Sequence, residues 1–534
     1  MKPLAGEAPP ANPRVEVYDT TLRDGAQREG LSLSVSDKLK IAARLDALGV
    51  SYIEAGWPGS NPKDAELFLR ARDMEWKRAE LVAFGATRRV NVAPEDDPSL
   101  RALAAAGTRV CTIFGKSSAL QVVDVLRTTR DENLAMIEES VRWLVASGRR
   151  VIYDAEHFFD GFELDAAYAR ETLFAAARGG AERLVLCDTN GGALPWRVEA
   201  IVAEIARSTA LPLGIHAHDD VGCAVASSLA AVRAGASQVQ GTINGYGERC
   251  GNADLCAIVP TLELKMGRRC LREGALPELR ALSHFVAEVA NVAPDEHAAY
   301  VGRSAFAHKG GVHVAAVLRN PASYNHVDPV LVGNETRIVV SELSGKAAVA
   351  SKADELGVAA TDEERGEVLA RIKEAEASGF AYEGAEASVA LLLARRAPSY
   401  VPPFRLLELR VLASVREGAS FADATIKLDV GGEVVHTAAE GVGPVNAIDS
   451  ALRKALVPIF PEIARVRLED YKVRILDGRD GTSAVTRVLI EHGDGDKRWS
   501  TVGASPNILA ASWQAIADGV EYGFLDRKRT TEAA

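Results

Sequence analysis

The 534-residue chain has only six cysteines (Cys111, Cys187, Cys223, Cys250, Cys256 and Cys270), and no two of them form a C-x-x-C pair. In a chain of this length that excludes both a disulfide framework and a thiolate zinc site, and it suits reduced thiols in a cytoplasm. No apolar run approaches the ~18–20 residues that a membrane span requires. Residues 1–14 contain no apolar stretch of the kind a secretory signal carries. Positive charge is in deficit: 62 Lys+Arg against 73 Asp+Glu leave a formal charge of −11. Nucleic acid and anionic membrane are therefore not expected partners. The sequence SELSGK (341–346) lacks the G-x-x-x-x-G-K spacing, which excludes a P-loop there. What remains is an ordinary globular mixture, 47% hydrophobic and 25% charged, incompatible with wholesale disorder.

Short apolar, β-branched runs recur through the first half. They are VEVY (15–18), YIEA (52–55), LVAF (81–84), VCTIF (110–114), VIYDA (151–155), RLVLC (183–187), LGIH (213–216) and QVQGT (238–242). Their starts lie 25 to 41 residues apart with helical patterns between them, as parallel strands joined by crossover helices require. Ser36-Asp37 precedes one apolar stripe (Leu39, Ile41, Ala42, Leu45, Leu48), and Gly49 follows as its stop. Eight βα units in about 250 residues predict an α/β fold with a closed (β/α)8 TIM barrel, a doubly wound open sheet being the alternative.

The barrel is expected over residues 14–280 as the catalytic domain. Residues 281–400 turn Ala-rich and helical and read as connector subdomains, with AHKGGVH (307–313) as their one unusual feature. Ala397-Pro398 through Pro402-Pro403 mark a boundary. Residues 401–528 then predict an α+β domain of two βββα units. Strand-like runs at 406–415, 424–430 and 433–437 precede the helical GVGPVNAIDSALRKAL, and runs at 471–476, 484–491 and 499–502 precede VGASPNILAASWQAI. Pro444 and Pro506 are expected in the first turns of these helices, where no N–H is needed. This module carries no catalytic cluster, which points to regulation or dimer formation.

Polar groups gather just after the barrel strands. Asp19, Arg23 and Asp24 follow the first; Glu156 and His157 the fifth; Asp188, Thr189 and Asn190 the sixth. His216, His218, Asp219 and Asp220 lie at the seventh, and Asn244, Glu248, Arg249 and Asn252 after the eighth. A barrel brings all these strand ends to one face. His216 and His218 are two apart on or just past a strand, so both imidazoles point the same way. With Asp24 as a carboxylate and Asn252 as an amide oxygen they suit Mn2+, Mg2+, Fe2+ or Zn2+, whereas an isolated H-x-H is as readily structural. Beside a metal, Arg23 can donate to an oxygen that becomes negative; alone, DTTLRDG (19–25) is a polar turn. NGYGERCGN (244–252) has the wrong spacing and place for a dinucleotide fingerprint. A phosphate loop there remains an alternative, which Glu248 opposes. Glu156 reads as a substrate-orienting or acid/base group, or as a solvated loop carboxylate, and His313 by itself as a helix-end histidine.

DTTLRDGAQREG, EAGWPGSNPKD, TIFGKS, IYDAEHFFDGF, LCDTNGG, GIHAHDD and QGTINGYGERCGN together resemble the 2-isopropylmalate synthase/homocitrate synthase family of Claisen-condensing enzymes. They are more similar to its citramalate synthase branch. The resemblance runs from about Val15 to the end, since the double βββα unit resembles that family's allosteric and dimerisation domain.

It implies an acyltransferase that condenses acetyl-CoA with a 2-oxo acid and hydrolyses the thioester. In the citramalate branch the acceptor is pyruvate and the product serves isoleucine biosynthesis. Position by position, Asp24, His216, His218 and Asn252 match the ligands of a divalent metal, Mn2+ or Mg2+ foremost and Zn2+ also admitted. Arg23 matches the group that polarises the acceptor ketone, Thr189 a contact to its carboxylate, and Glu156 the glutamate after the fifth strand. His313 with Tyr324 matches the pair assigned to removal of the acetyl-CoA methyl proton. His313 would then reach the site from the connector or a partner subunit. The family's usual H-x-H-N-D is H-A-H-D-D here, so Asp219 stands where Asn is common. A cytoplasmic homodimer with isoleucine as effector is further implied. The siblings acting on other 2-oxo acids, a metal-dependent aldolase or lyase, and an amino-acid sensor are the competing readings.

Overall fold

The structure, a computed structural model, describes residues 13–532 apart from 356–360, 398–399, 417–418 and 477. Pro398 of the expected boundary, and residues 1–12 of the N-terminal stretch, lie outside the described residues. The chain divides into two compact units, Met1–Phe306 with Val327–Glu335, and Ala307–His326 with Thr336–Ala534.

In the first unit eight parallel strands close in chain order. They are β1 (Glu16–Asp19), β2 (Tyr52–Gly56), β3 (Glu80–Ala86), β4 (Val110–Lys116), β5 (Arg150–Glu156), β6 (Arg183–Asp188), β7 (Leu213–Ala217) and β8 (Gln238–Gly241). Strand β1 pairs with β2 on one side and with β8 on the other, so the sheet is a closed barrel and not an open, doubly wound one. Residues alternate between two buried clusters, as strand geometry requires. Val17, Ile53, Ala83, Cys111, Val151 and Leu184 belong to the large core that the surrounding helices share. Their neighbours Tyr18, Tyr52, Val82, Val110, Ile152 and Val185 form a separate cluster inside the barrel.

Helix ends follow local chemistry. The helix Val35–Leu48 begins before the Ser36-Asp37 pair that the sequence pattern suggests. Ser34 is its cap, accepting from the Asp37 N–H at 3.2 Å, while the Asp37 carboxylate accepts from the Ser34 N–H at 3.1 Å. This reciprocal box satisfies two N–H groups that the helix leaves without partners. Gly49 ends the helix at φ 93°, a left-handed conformation that glycine adopts without a Cβ clash. The helix Leu279–Val289 buries Leu279, Leu282 and Val286 in the same core as the barrel helices.

The second unit contains the duplicated module. Strands Arg405–Arg416, Ala419–Val430 and Glu433–Gly441 form one antiparallel sheet, and Arg467–Ile475, Thr486–Gly493 and Arg498–Ser505 another. Each sheet is followed by a helix, Pro444–Leu456 and Ile508–Glu532. Pro444 occupies the first helical turn as expected. Pro506 does not: it precedes Asn507, whose Oδ1 accepts from the N–H of Leu509 at 2.9 Å and starts the helix instead. A side-chain cap does there what proline does in the first repeat. Ile426, Leu428, Ile448 and Leu452 share one core with Val488, Ile490, Ile516 and Val520 of the second repeat. Among the described residues no helix is long and apolar enough to cross a membrane.

His492 on the strand Thr486–Gly493 is fully buried, with neither ring nitrogen hydrogen-bonded. Its ring lies nearly parallel to that of Trp499, and burial, reinforced by the Arg453 charge, lowers its pKa to about 3. Between pH ~6.5 and ~3 the unfolded chain therefore takes up a proton that the folded chain refuses, and stability falls as pH falls. Near pH 5.5 the loss from this one group is expected to be about 1.4 kcal/mol. His492→Phe should remove that component of the pH dependence in thermal unfolding of the second unit; an unchanged slope would assign it elsewhere.

Candidate functional site

The closed sheet brings together groups remote in sequence. Asp24 follows β1, His216 is the penultimate residue of β7, His218 lies just past it, and Asn252 follows β8. All four are buried, none more than 7% exposed. His216 Nε2 lies 3.3 Å and His218 Nε2 3.9 Å from Asp24 Oδ2, and the two Nε2 atoms are 3.2 Å apart. Asn252 Nδ2 donates to the same Asp24 oxygen at 2.8 Å across 228 positions of sequence. A backbone bridge between His218 and Asn252 fixes the pair.

Burial would raise the Asp24 carboxyl, but the Arg23 charge and the two histidines outweigh it and hold the group far below the usual carboxylate range. Burial would likewise lower His216, and its hydrogen bond and charge attraction to Asp24 reverse the direction. His218 is lowered to about 4, by burial first and then by the neighbouring His216. Two imidazole nitrogens and a carboxylate oxygen thus converge within 4.8 Å, a set able to hold a metal ion. One buried atom supports the fit: Asn252 Oδ1 has no hydrogen-bond partner. Turning the Asn252 amide over would exchange its donor for this oxygen at the place where Asp24, His216 and His218 meet. The donor set, two imidazoles with hard oxygens and no thiolate, suits a divalent cation with open positions.

Arg23 stands beside this cluster. Its Nε donates to Glu54 Oε1 at 2.6 Å, its Nη1 lies 3.3 Å from Asp24 Oδ1, and the guanidinium sits 3.7 Å over the Phe84 ring. Glu54 is fully buried on β2, and its other oxygen is bonded to the Tyr18 hydroxyl at 2.6 Å. Sequence reasoning missed Glu54, although it opens the motif EAGWPGSNPKD. A carboxylate in an otherwise apolar strand was the available signal.

The cavity at this end measures about 220 Å3 and includes Arg23, Asp24, Glu156, Thr189, His216 and His218 in its lining. Trp57, Phe84 and Phe114 form one wall, with ring centroids 5.5–5.8 Å apart, and no role was assigned to these three from sequence. Thr189 Oγ1 accepts from the N–H of His157 at 2.8 Å, which leaves its own hydroxyl proton to be donated elsewhere. Glu156 forms an ion pair with Lys116 at the end of β4, so it is a paired carboxylate and not a loose solvated one. Asp219 accepts from the N–H of Ala224 at 2.8 Å, a bond that a carboxylate oxygen makes as well as an amide oxygen. A wider groove of about 500 Å3 lies where β3 and β4 begin, beside Trp76, Arg78 and Arg109; none of the ligating set lines it.

His313 and Tyr324 belong to the second unit. Their rings pack together with centroids 4.3 Å apart at the start of the helix Gly311–Arg319 and beyond its end, and both side chains are exposed. His308 lies alongside, its Nε2 bonded to Asn325 Oδ1 at 2.8 Å.

Removing Glu54 strips Arg23 of its shortest partner inside a buried site. Glu54→Leu is expected to cost about 3–5 kcal/mol in chemical denaturation of the barrel. A cost below about 1 kcal/mol would mean that Asp24 and Phe84 hold the guanidinium without it.

Comparison with known proteins agrees with this geometry. Residues 14–286 match the HMGL-like family, 300–379 the homocitrate synthase post-HMGL domain-like family, and 383–524 the LeuA allosteric (dimerisation) domain. The chain is 52% identical over 522 residues to an (R)-citramalate synthase of Synechocystis sp., covering 95% of each chain. It is 50% identical to one from Geobacter sulfurreducens, covering 95% of this chain and 97% of that one. Identity to a probable 2-isopropylmalate synthase of Methanopyrus kandleri is 33%, over 95% and 98% of the two chains. With a closed barrel, a buried Asp-His-His cluster and this similarity along nearly its whole length, the chain belongs to the family of the (R)-citramalate synthases.

Proposed function

We propose that this chain condenses acetyl-CoA with pyruvate and hydrolyses the resulting thioester, releasing (R)-citramalate and CoA. The observation that carries the reading is the convergence of Asp24, His216, His218 and Asn252 beside Arg23 at one end of the barrel. These four residues would hold a divalent cation, Mn2+ or Mg2+ with Zn2+ as the alternative, which when bound supplies Lewis-acid polarisation to a substrate carbonyl.

The chain's own residues account for the remaining work. Arg23, kept in place by Glu54 and the Phe84 face, donates to the ketone oxygen as it becomes an alkoxide. The Thr189 hydroxyl, already accepting from the N–H of His157, donates a hydrogen bond to the acceptor's carboxylate. Glu156, neutralised by Lys116, orients substrate. The rings of Trp57, Phe84 and Phe114 form an apolar wall that excludes water from the reacting carbons. His313, packed against Tyr324, takes the methyl proton of acetyl-CoA, work suited to an imidazole.

We assign residues 14–280 to catalysis, 281–400 to the connector that carries His313 and Tyr324, and 401–528 to allosteric control and dimerisation. Isoleucine is the effector in this reading, a homodimer the assembly, and the cytoplasm the setting.

Thiol release from acetyl-CoA, measured across a panel of 2-oxo acids, tests the activity. Release selective for pyruvate is expected. Strong preference for 2-oxoisovalerate would move the chain to its 2-isopropylmalate synthase siblings, and no release with any acceptor would leave the condensing reaction without support. His313→Ala is expected to keep its metal affinity and lose about 10²–10⁴-fold in condensation rate; near-wild-type turnover would remove His313 from the chemistry. Millimolar isoleucine should inhibit where leucine at the same concentration does not, and equal activity in both would argue against the effector assignment.

A further inference from the structure

The barrel buries a carboxylate that no step above uses. Asp154 on β5 is 3% exposed, and Gln240 on β8 is fully buried between it and His216. Gln240 Nε2 donates to Asp154 Oδ1 at 3.0 Å, and Gln240 Oε1 lies 2.9 Å from His216 Nδ1. These two contacts determine one another. Burial raises the Asp154 carboxyl to about 7, the Glu54 charge adding to this and the His216 charge opposing it. Once ionised, it only accepts hydrogen bonds and draws the NH2 end of the Gln240 amide towards itself. The amide oxygen is thereby turned to His216, and it too can only accept. With Asp154 ionised, the hydrogen in that contact comes from Nδ1; the reverse arrangement would set two lone pairs face to face at Asp154.

A neutral imidazole has one N–H. With that hydrogen held on Nδ1, the lone pair is on Nε2, the atom 3.3 Å from Asp24 Oδ2 and 3.2 Å from His218 Nε2. His218 has no such device, since its Nδ1 is buried without a partner. His216 is the histidine whose ligating nitrogen the barrel itself selects.

We propose that Gln240, oriented by Asp154, is a positioning residue that keeps His216 in its Nδ1–H tautomer and presents the Nε2 lone pair to the Asp24–His218–Asn252 site. The proposal rests on the metal-binding reading of that site. It assigns a role to two buried polar residues from different strands, each of which would otherwise be an expensive occupant of a barrel interior.

The test is calorimetric titration of the full-length, metal-stripped chain with Mn2+. Gln240→Met keeps the side-chain length and removes both hydrogen bonds, and it is expected to weaken Mn2+ binding about 10–100-fold. The double variant Gln240→Glu/Asp154→Asn reverses the donor and acceptor between the two residues yet keeps an acceptor against Nδ1. It is expected to bind Mn2+ nearly as tightly as wild type, a recovery that a purely packing role would not produce. Wild-type affinity in Gln240→Met, or failure of the double variant to recover, overturns the proposal. Should Gln240→Met not fold, the long-range 1H–15N histidine spectrum of the metal-free wild type decides: a proton bonded to Nδ1 of neutral His216 supports it, and one on Nε2 overturns it. A folded wild type that binds no Mn2+ would instead bring down the metal-binding reading itself, a result distinguishable from failure of Gln240→Met.

Discussion

The seam between the first and last strands is the constraint on which the site depends. Asp19 pairs with Gly241, and the loops beyond them are tied at the same place: the N–H and hydroxyl of Thr20 both bond the Gly241 carbonyl, and the N–H of Ile243 donates to Thr21 Oγ1. These bonds span more than 220 positions of sequence. They set the distance between the turn that carries Asp24 and the loop that carries Asn252. Without closure the two would sit at opposite edges of a sheet, and His216 and His218, on the strand beside the Asn252 loop, would be out of reach of Asp24.

Closure also reshapes the electrostatics. A chain of formal charge −11 has no long-range attraction for an anionic 2-oxo acid or for CoA. Locally the balance differs. Arg23 is half-buried against Glu54 and Asp24, and Lys116 and Arg249 sit beside Glu156 and Asp220. Each cation is already matched by a carboxylate, so the site is a set of neutralised pairs with little free positive charge. A bound cation would tip that balance towards anions, which makes the Asp24 cluster the local source of attraction.

Much of this was legible in the sequence because barrel strands are written in β-branched runs and their functional residues lie just after them. All eight runs coincide with barrel strands, and Arg23, Asp24, Glu156, Thr189, His216 and His218 all line one cavity, with Asn252 bonded to Asp24. What was not legible lies on the inward faces of strands, where polar side chains answer to partners on other strands. Glu54 matters through Tyr18 and Arg23, and Gln240 through Asp154 and His216; neither relationship has a spacing in the chain. The aromatic wall is similar: Trp57, Phe84 and Phe114 come from three separate βα units and meet only because the strands are neighbours. Helix starts were misplaced for a simpler reason. Ser34 and Asn507 won over Ser36 and Pro506 because a cap is decided by which side chain reaches a free N–H, not by which residue precedes the apolar stripe.

The C-terminal repeat has a consequence for how the protein comes apart. Two βββα halves that look interchangeable in sequence share one interior, with Ile426 and Leu452 of the first packed in the same cluster as Ile490 and Ile516 of the second. Arg453 of the first helix also donates to the carbonyl of Ile463, in the segment that leads to the second sheet. Neither half owns a core that would survive the loss of the other, so duplication here multiplied the strands without multiplying the cooperative units. A cut or a frayed strand in one repeat is felt as solvent entering the other.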